Sequence, residues 1–343
     1  MSWPRQNGDL MADKFGPTST KPAAAPLVLA VDLGGTNLRL ALVNTAGEIL
    51  HRRAEPTNSG QGTEALVSKI AAAMLAMPSE AGLSPAQIIA VGMGIPGLVE
   101  PDRGRVVKAP NLPELDGFLL GPALRALLPW PVLLDNDANL FVWGEAGLGA
   151  GQGEANLLGI TLGTGVGGGL VLDGRLWHGA NGTTAEIGHM TIEPGGERCN
   201  CGNYGCLETL ASATWTVRWT VTRLAAGESS SLTTLWQQSP QKVTARQIFQ
   251  AAVDGDRLAC QAWQRLGRAL GIAIANVVHL LGVPMVILGG KVAEAWDQFM
   301  PTLEEELTRR LTFFPRADLH LRQAVLGDNA GLLGAARLAW ENR

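Results

Sequence analysis

The sequence predicts an α/β protein built from two similar halves with a cleft between them. Three observations carry that expectation. An apolar run ends in Asp32 and turns through Gly34-Gly35-Thr36-Asn37, a second, Leu157–Leu162, turns through a glycine-rich stretch, and strand patterns alternate with helical ones after each. A glycine turn of this kind offers bare backbone N–H groups that can cradle phosphate without a helix. One such turn is commonplace; two, each opening an α/β unit, point to a duplicated fold. The chain's 343 residues, 46% of them hydrophobic, suffice for two domains with full cores.

Residues 1–26 mix Pro, Ala, Thr, Lys and Asp without periodicity and read as a disordered tail with no export signal. Order begins at Leu27, where Leu38, Leu40 and Leu42 alternate with Arg39 and Ala41 in the returning strand of a β-hairpin. Leu66, Ile70, Ala73, Met74 and Met77 have helical spacing and place a helix over 62–77. A buried strand follows at Ile88–Gly94, stopped by Pro96-Gly97. The loop after it carries Asn111, whose amide can read hydroxyls, although Asn is also a common turn residue.

Pro131–Leu134 is a short strand that delivers Asp135-Asn136-Asp137-Ala138-Asn139 onto a helix running to about Gly147. Asp and Asn there can cap the helix. A carboxylate at the end of a buried strand can also accept a proton from a substrate hydroxyl, and Asp135 and Asp137 both qualify. The second hairpin has its turn over Gly163–Gly169 and its returning strand at Leu170–Leu172. The stretch 209–235 reads as helical and loosens at Gly227–Ser231, and 244–281 reads as two helices, the second of which, Ala259–Leu281, is long and apolar and carries Cys260 as a buried thiol. Met285–Leu288 is a strand running into Gly289-Gly290, where a flat ring can lie on exposed backbone, and 327–340 is a closing helix.

Glu186–Glu208 is the most informative stretch. Cys199, Cys201 and Cys206, three of the chain's four cysteines, follow His189 closely, and Gly202 and Gly205 let the backbone double back. One His and three thiolates form a closed tetrahedral Zn²⁺ set with no position for water, so the zinc is structural. The clustering with turn glycines favours this over a disulfide with a spare thiol. A metal that fixes His189 and Cys206 also fixes Glu186 and Glu208 beside them, and two aimed carboxylates suit a polyol. The net charge of −4, with scattered basic residues, leaves no footprint for nucleic acid. No apolar run approaches the ~20 residues of a membrane span. Few cysteines, grouped as metal ligands, fit a reducing, cytoplasmic setting.

Taken together, these motifs resemble the ROK family of sugar kinases and repressors, most of all its bacterial glucokinase branch. D-L-G-G-T-N (Asp32–Asn37), N-D-A-N (Asn136–Asn139), L-G-T-G-V-G-G-G (Leu162–Gly169), E-I-G-H (Glu186–His189), C-x-C-G-x-x-G-C-x-E (Cys199–Glu208) and a late L-G-G (Leu288–Gly290) occur in family order over nearly all of residues 27–343. The resemblance implies a two-domain actin-like (ribonuclease H-like) sugar kinase fold. Residues 27–140 would form the small domain, with helix 328–343 packing back on it, and 141–327 the large domain with the zinc clip.

It further implies ATP- and Mg²⁺-dependent phosphorylation of a hexose 6-hydroxyl, D-glucose foremost. N-acetylglucosamine, N-acetylmannosamine, mannose, fructose and allose are the other acceptors, and polyphosphate the other donor. Asp137 would be the general base. Gly97, Asn111, Asn136, Asp137, Glu186, His189 and Glu208 would hold the sugar, with His189 also ligating zinc beside Cys199, Cys201 and Cys206. Gly34, Gly35, Thr36 and Asn37, with Gly163, Thr164 and Gly165, would take the phosphates, Gly289 and Gly290 the nucleoside, and Asp32 would orient Mg²⁺ through water. Homodimers or dimers of dimers are implied. Lys291 departs from the small residue that many relatives carry. The family's sugar-sensing repressors place a helix-turn-helix ahead of the first strand, and the 26 residues before Leu27 are too few for one.

Overall fold

Two five-stranded sheets of matching topology frame the molecule, which a computed structural model describes over residues 25–341. Of the tail expected over 1–26, all but the last two residues lie outside the described residues. The first sheet is built from β1 (Leu27–Leu33), β2 (Asn37–Val43), β3 (Ile49–Pro56) and β4 (Ile88–Ile95). A separate ribbon, β5 (Leu98–Glu100) and β6 (Arg105–Lys108), precedes its last strand, β7 (Val132–Asn136). The order is β3-β2-β1-β4-β7, antiparallel across β1–β2–β3 and parallel across β1–β4–β7. The second sheet takes β8 (Leu157–Leu162), β9 (Val166–Leu172), β10 (Arg175–Leu176), β11 (Met285–Gly289) and β12 (His320–Gln323). Its order, β10-β9-β8-β11-β12, repeats the first sheet strand for strand and sense for sense, so the expected duplication is present.

Ten helices among the described residues complete the chain: α1 (Thr63–Glu80), α2 (Leu120–Leu127), α3 (Asp137–Leu148), α4 (Glu208–Ala211), α5 (Ala213–Ala225), α6 (Thr233–Gln238), α7 (Ala245–Val253), α8 (Arg257–Leu281), α9 (Trp296–Arg310) and α10 (Ala330–Glu341). Side chains alternate across a strand, so each sheet has two apolar faces to cover. Leu29, Val31 and Leu33 of β1 pack with Ile70 and Met74 of α1, while Val28 and Ala30 pack on the other face with Leu332 and Ala336 of α10. In the second sheet, α8 and α9 cover one face, and Val142, Trp143 and Ala146 of α3 cover the other beside Leu157 and Ile287. Helices α3 and α10 therefore lie between the sheets. They cross at Gly144 and Gly334, where a Cβ would collide with the Ala330 or Leu140 carbonyl.

The structure corrects several readings. Gly167, Gly168 and Gly169 belong to β9, so the second glycine turn is only Gly163-Thr164-Gly165. Two of the strand glycines face α3, where a Cβ at Gly169 would sit 2.9 Å from Val142 Cγ2 and one at Gly167 2.9 Å from Ala138 Cβ; on the other face a Cβ at Gly168 would sit 2.8 Å from Ile187 Cγ2. The stretch 209–235 loosens after Ala226, as expected, but is also broken at Ser212, whose side chain caps α5 through Trp215 N. Cys260 is only half-buried, its thiol reaching the Ala252 carbonyl at 3.5 Å. No described helix is long and apolar enough to cross a membrane.

Candidate active site

The end of β7 and the start of α3 place Asp137 at the floor of a cleft of ≈ 700 Å³ between the sheets. Asn136 caps α3, its Oδ1 accepting from Ala138 N at 2.9 Å and Asn139 N at 3.0 Å, while its Nδ2 donates to Gly97 O at 2.8 Å. Asn136 and Gly97 are thus tied together, and the second amide hydrogen of Asn136 is left for a ligand.

The choice between the two aspartates follows from what surrounds them. Asp135 is 1% exposed and fully engaged: Oδ1 accepts from Asn136 N and Asn139 Nδ2, and Oδ2 from His178 Nε2. Asp137 faces the cleft, and its one protein hydrogen bond is from Ala138 N at 2.8 Å. Its side chain is exposed to the cleft, yet protein crowds it on the other sides. This crowding comes first in pushing the Asp137 carboxyl up to about 7, followed by the Asp32 charge; the Ala138 hydrogen bond opposes it and Glu186 adds to it. A carboxylate with a pKa near neutrality, open on one side, is suited to accept a proton.

The same cleft is lined by Asp32, Gly34, Gly35, Thr36, Asn37, Gly289 and Gly290, seven more of the expected residues, and by Lys291. Gly290 has φ +84°, and a side chain there would strike the Leu162 carbonyl, so only glycine lets β11 end this close to β8. Asn111 is exposed and adjoins the first turn, where a Cβ on Gly35 would lie 2.8 Å from its own. Gly163, Thr164 and Gly165 do not line the cavity. Their turn is tied to the start of α5 by Ala213 N to Gly163 O and Thr214 Oγ1 to Thr164 O, each 2.8 Å. Glu208 adjoins that turn, its Oε2 accepting from Val166 N at 3.0 Å. Glu186 and His189 sit on the loop after β10, with His189 N donating to Glu186 O at 3.0 Å. Crowding raises the Glu186 carboxyl, opposed by His189 and helped by Glu208.

The ligand atoms of His189, Cys199, Cys201 and Cys206 all lie within 4.8 Å of one another. Cys199 Sγ is 3.8 Å from His189 Nδ1, and Cys201 Sγ 3.7 Å from Cys206 Sγ. Zn–ligand bonds of about 2.0–2.3 Å give tetrahedral edges of roughly 3.3–3.8 Å, so the set fits a zinc ion. His189 faces the thiols with Nδ1, which leaves Nε2 for another partner. Asp32 pairs with Arg39, which also donates to Asp328 O at 3.1 Å. The pair engages Asp32 Oδ2.

Sequence reasoning passed over Arg39, Phe141, Thr161, Glu294 and Gln323 in the cleft lining, and His178. Arg39 had a signal: the hairpin register sets it opposite Asp32. A larger cavity, ≈ 1070 Å³, lined by Trp215, Arg218 and Arg265 among others, holds none of the expected site residues. The smaller one holds Asp137 together with Asp32, the turn at Gly34–Asn37 and Gly289-Gly290.

Fold and cleft define a two-sheet α/β protein of the actin-like class, with a glycine pair from each sheet, Gly34-Gly35 and Gly289-Gly290, lining the cleft beside Asp137. The ROK family model matches residues 28–342, and the chain belongs to the ROK family. It is 37% identical to a glucokinase of Halalkalibacterium halodurans over 90% of this chain and 94% of that one. The solved structure of a ROK family glucokinase from Streptomyces griseus, in complex with glucose and AMPPNP, matches with a TM-score of 0.76 and 32% identity, over 92% of this chain and 100% of that one. A ROK family transcriptional regulator, a homologue of the E. coli MLC protein, matches with a TM-score of 0.82 and 31% identity over 90% of this chain and 76% of its own.

Proposed function

We propose that the chain is a sugar kinase that transfers the γ-phosphoryl group of ATP to the 6-hydroxyl of a hexose, D-glucose foremost. The observation that carries this is Asp137, with its raised carboxyl, at the floor of a cleft that also holds Asp32, the turn at Gly34–Asn37 and the Gly289-Gly290 pair. Likeness to glucokinases supports it.

In this reading the hydroxyl gives its proton to Asp137 as the O–P bond forms, so the base needs only to be ionised and in line. Asn111, Asn136, the Gly97 backbone, Glu186, His189 Nε2 and Glu208 orient the sugar hydroxyls. The turns at 34–37 and 163–165 hold the phosphates through backbone N–H groups, and Gly289-Gly290 takes the nucleoside. Asp32 holds Mg²⁺, which, when bound, neutralises phosphate charge. Zinc is structural and fixes the loop that bears Glu186 and Glu208. Residues 27–140 with the closing helix, and 141–327, act as the two bodies that close over the sugar and exclude water. We place the reaction in the cytoplasm, carried out by a homodimer or dimer of dimers.

A panel of glucose, mannose, fructose, allose, N-acetylglucosamine and N-acetylmannosamine with Mg·ATP tests the reading by ADP release. Turnover fastest on glucose is expected, and Asp137→Asn should lose ~10²–10⁴-fold in kcat while still binding the sugar. Near-normal turnover of that variant would refute the base. The regulator likeness favours one second reading, a sugar sensor without catalysis. Sugar binding with no turnover on any of the six would select it.

A further inference from the structure

We propose that His178 is a positioning residue for phosphoryl transfer: it holds Asp135, and through Asp135 the helix end that carries Asp137. The inference rests on Asp137 being the base. His178 follows β10 at the edge of the second sheet, and Asp135 ends the last strand of the first. His178 Nε2 and Asp135 Oδ2 are 2.6 Å apart, so a short hydrogen bond joins the two halves directly behind the base.

What Asp135 does with its other oxygen gives this bond its purpose. Oδ1 accepts from Asn136 N at 2.7 Å and from Asn139 Nδ2 at 2.9 Å, the residues on either side of the Asp137-Ala138 pair. Oδ1 therefore fixes the first turn of α3, and Oδ2 ties that turn to His178. A carboxylate this deeply buried needs a donor at each oxygen, and His178 is the donor at Oδ2. The hydrogen bond to Asp135 raises the imidazole pKa, against the pull of burial and with help from the charges of Asp135 and Asp102.

The bond also sets the place of a second group. Gly182 N donates to the His178 carbonyl at 3.0 Å, and Gly182, at φ +80°, approaches the ribbon of β5 and β6 so closely that an added Cβ would lie 3.0 Å from Pro101 Cδ. The chain then runs on to Glu186 and the zinc ligand His189. Glu186 thus sits on a segment fastened at one end to Asp135 and at the other to the metal clip. Breaking the first fastening frees base and sugar-facing carboxylate to drift relative to each other. A misplacement of about 1 Å at a reacting centre costs on the order of 10²-fold in rate.

The test is steady-state kinetics on His178→Ala and His178→Gln with glucose and Mg·ATP, with thermal melting of each. His178→Ala should lose about 10–100-fold in kcat with the KM for ATP unchanged. His178→Gln, whose side-chain amide can still donate to Asp135, should recover kcat to within about three-fold of wild type, a rescue that a merely structural role gives no reason to expect. Equal losses in the two variants, or a His178→Ala enzyme within about two-fold of wild type, would overturn the proposal. If His178→Ala does not fold, His178→Asn, too short to reach Asp135, takes its place with the same expected loss and the same refuting result. Asp137→Asn in the same assay separates the two ideas. An inert Asp137→Asn beside a fully active His178→Ala discards the tether and keeps the base, whereas an active Asp137→Asn discards both.

Discussion

Lowering the pH should silence this enzyme along a slope set by Asp137. With its carboxyl at about 7 in the folded protein, against 3.8 for an ordinary aspartate, the ionised fraction is about half at pH 7, about one tenth at pH 6 and about one hundredth at pH 5. Only the ionised form accepts the sugar's proton, so kcat/KM for glucose at saturating Mg·ATP should fall about tenfold per unit below pH 7. An unshifted aspartate would leave the rate flat down to about pH 5. Glucose 6-phosphate formed in quenched time courses gives the profile without coupling enzymes that have pH limits of their own. Asp32→Asn removes a charge that raises Asp137 and should move the acid limb down, and even low residual turnover locates it. A profile flat from pH 5.5 to 8, or a limb that Asp32→Asn leaves in place, would refute the assignment. Stability carries the same signature with a definite sign. A carboxyl raised by folding binds more protons in the native state between its unfolded value and about 7, so its contribution to stability is present below that window and is lost as pH rises through it. The Tm of Asp137→Asn should therefore gain on wild type between pH 4 and 7 and hold level above.

Three substitutions probe the surrounding frame. Cys201→Ala removes one zinc ligand and should release the metal and weaken sugar binding together, read by metal analysis and by glucose titration; retention of both would count against a structural zinc. Gly165→Ala would place a methyl group 2.5 Å from Glu208 Oε2, so Glu208 should swing away, raising the KM for glucose with little change in Tm. Gly334→Ala should wedge α10 from α3 and cost about 1–3 kcal/mol in urea unfolding, because the obstacle is the Leu140 backbone and not a movable side chain.

Much of this was legible because it is local. The zinc ligands and their turn glycines are neighbours in sequence, and so are Asp135, Asn136 and Asp137, which a buried strand hands to a helix. What escaped depends on partners far along the chain. Gly167, Gly168 and Gly169 read as a turn until their neighbours are seen: Gly167 and Gly169 answer α3, and Gly168, on the other face, answers Ala185 and Ile187. Strands β3 and β12 are edge strands with polar or half-exposed faces, so no apolar run announces them. His178 is a lone histidine in a loop, and only the meeting of the two sheets gives it Asp135. The rivalry between Asp135 and Asp137 was likewise insoluble in one dimension, since it turns on which carboxylate is already surrounded by donors.

The closing helix α10 has a consequence for how the protein is made. It covers Val28, Ala30, Val43 and Ala90 on the inner face of the first sheet, yet it is the last described element of the chain. While a ribosome is still producing the second sheet, that face has no lid, and the early strands must wait for residues hundreds of positions away. Such distant pairing slows folding and leaves apolar surface open to wrong partners. Nascent chains halted before Ala330 should therefore be the forms that chaperones hold and proteases clear, and moving α10 ahead of β1 by circular permutation is the rearrangement that would relieve the wait.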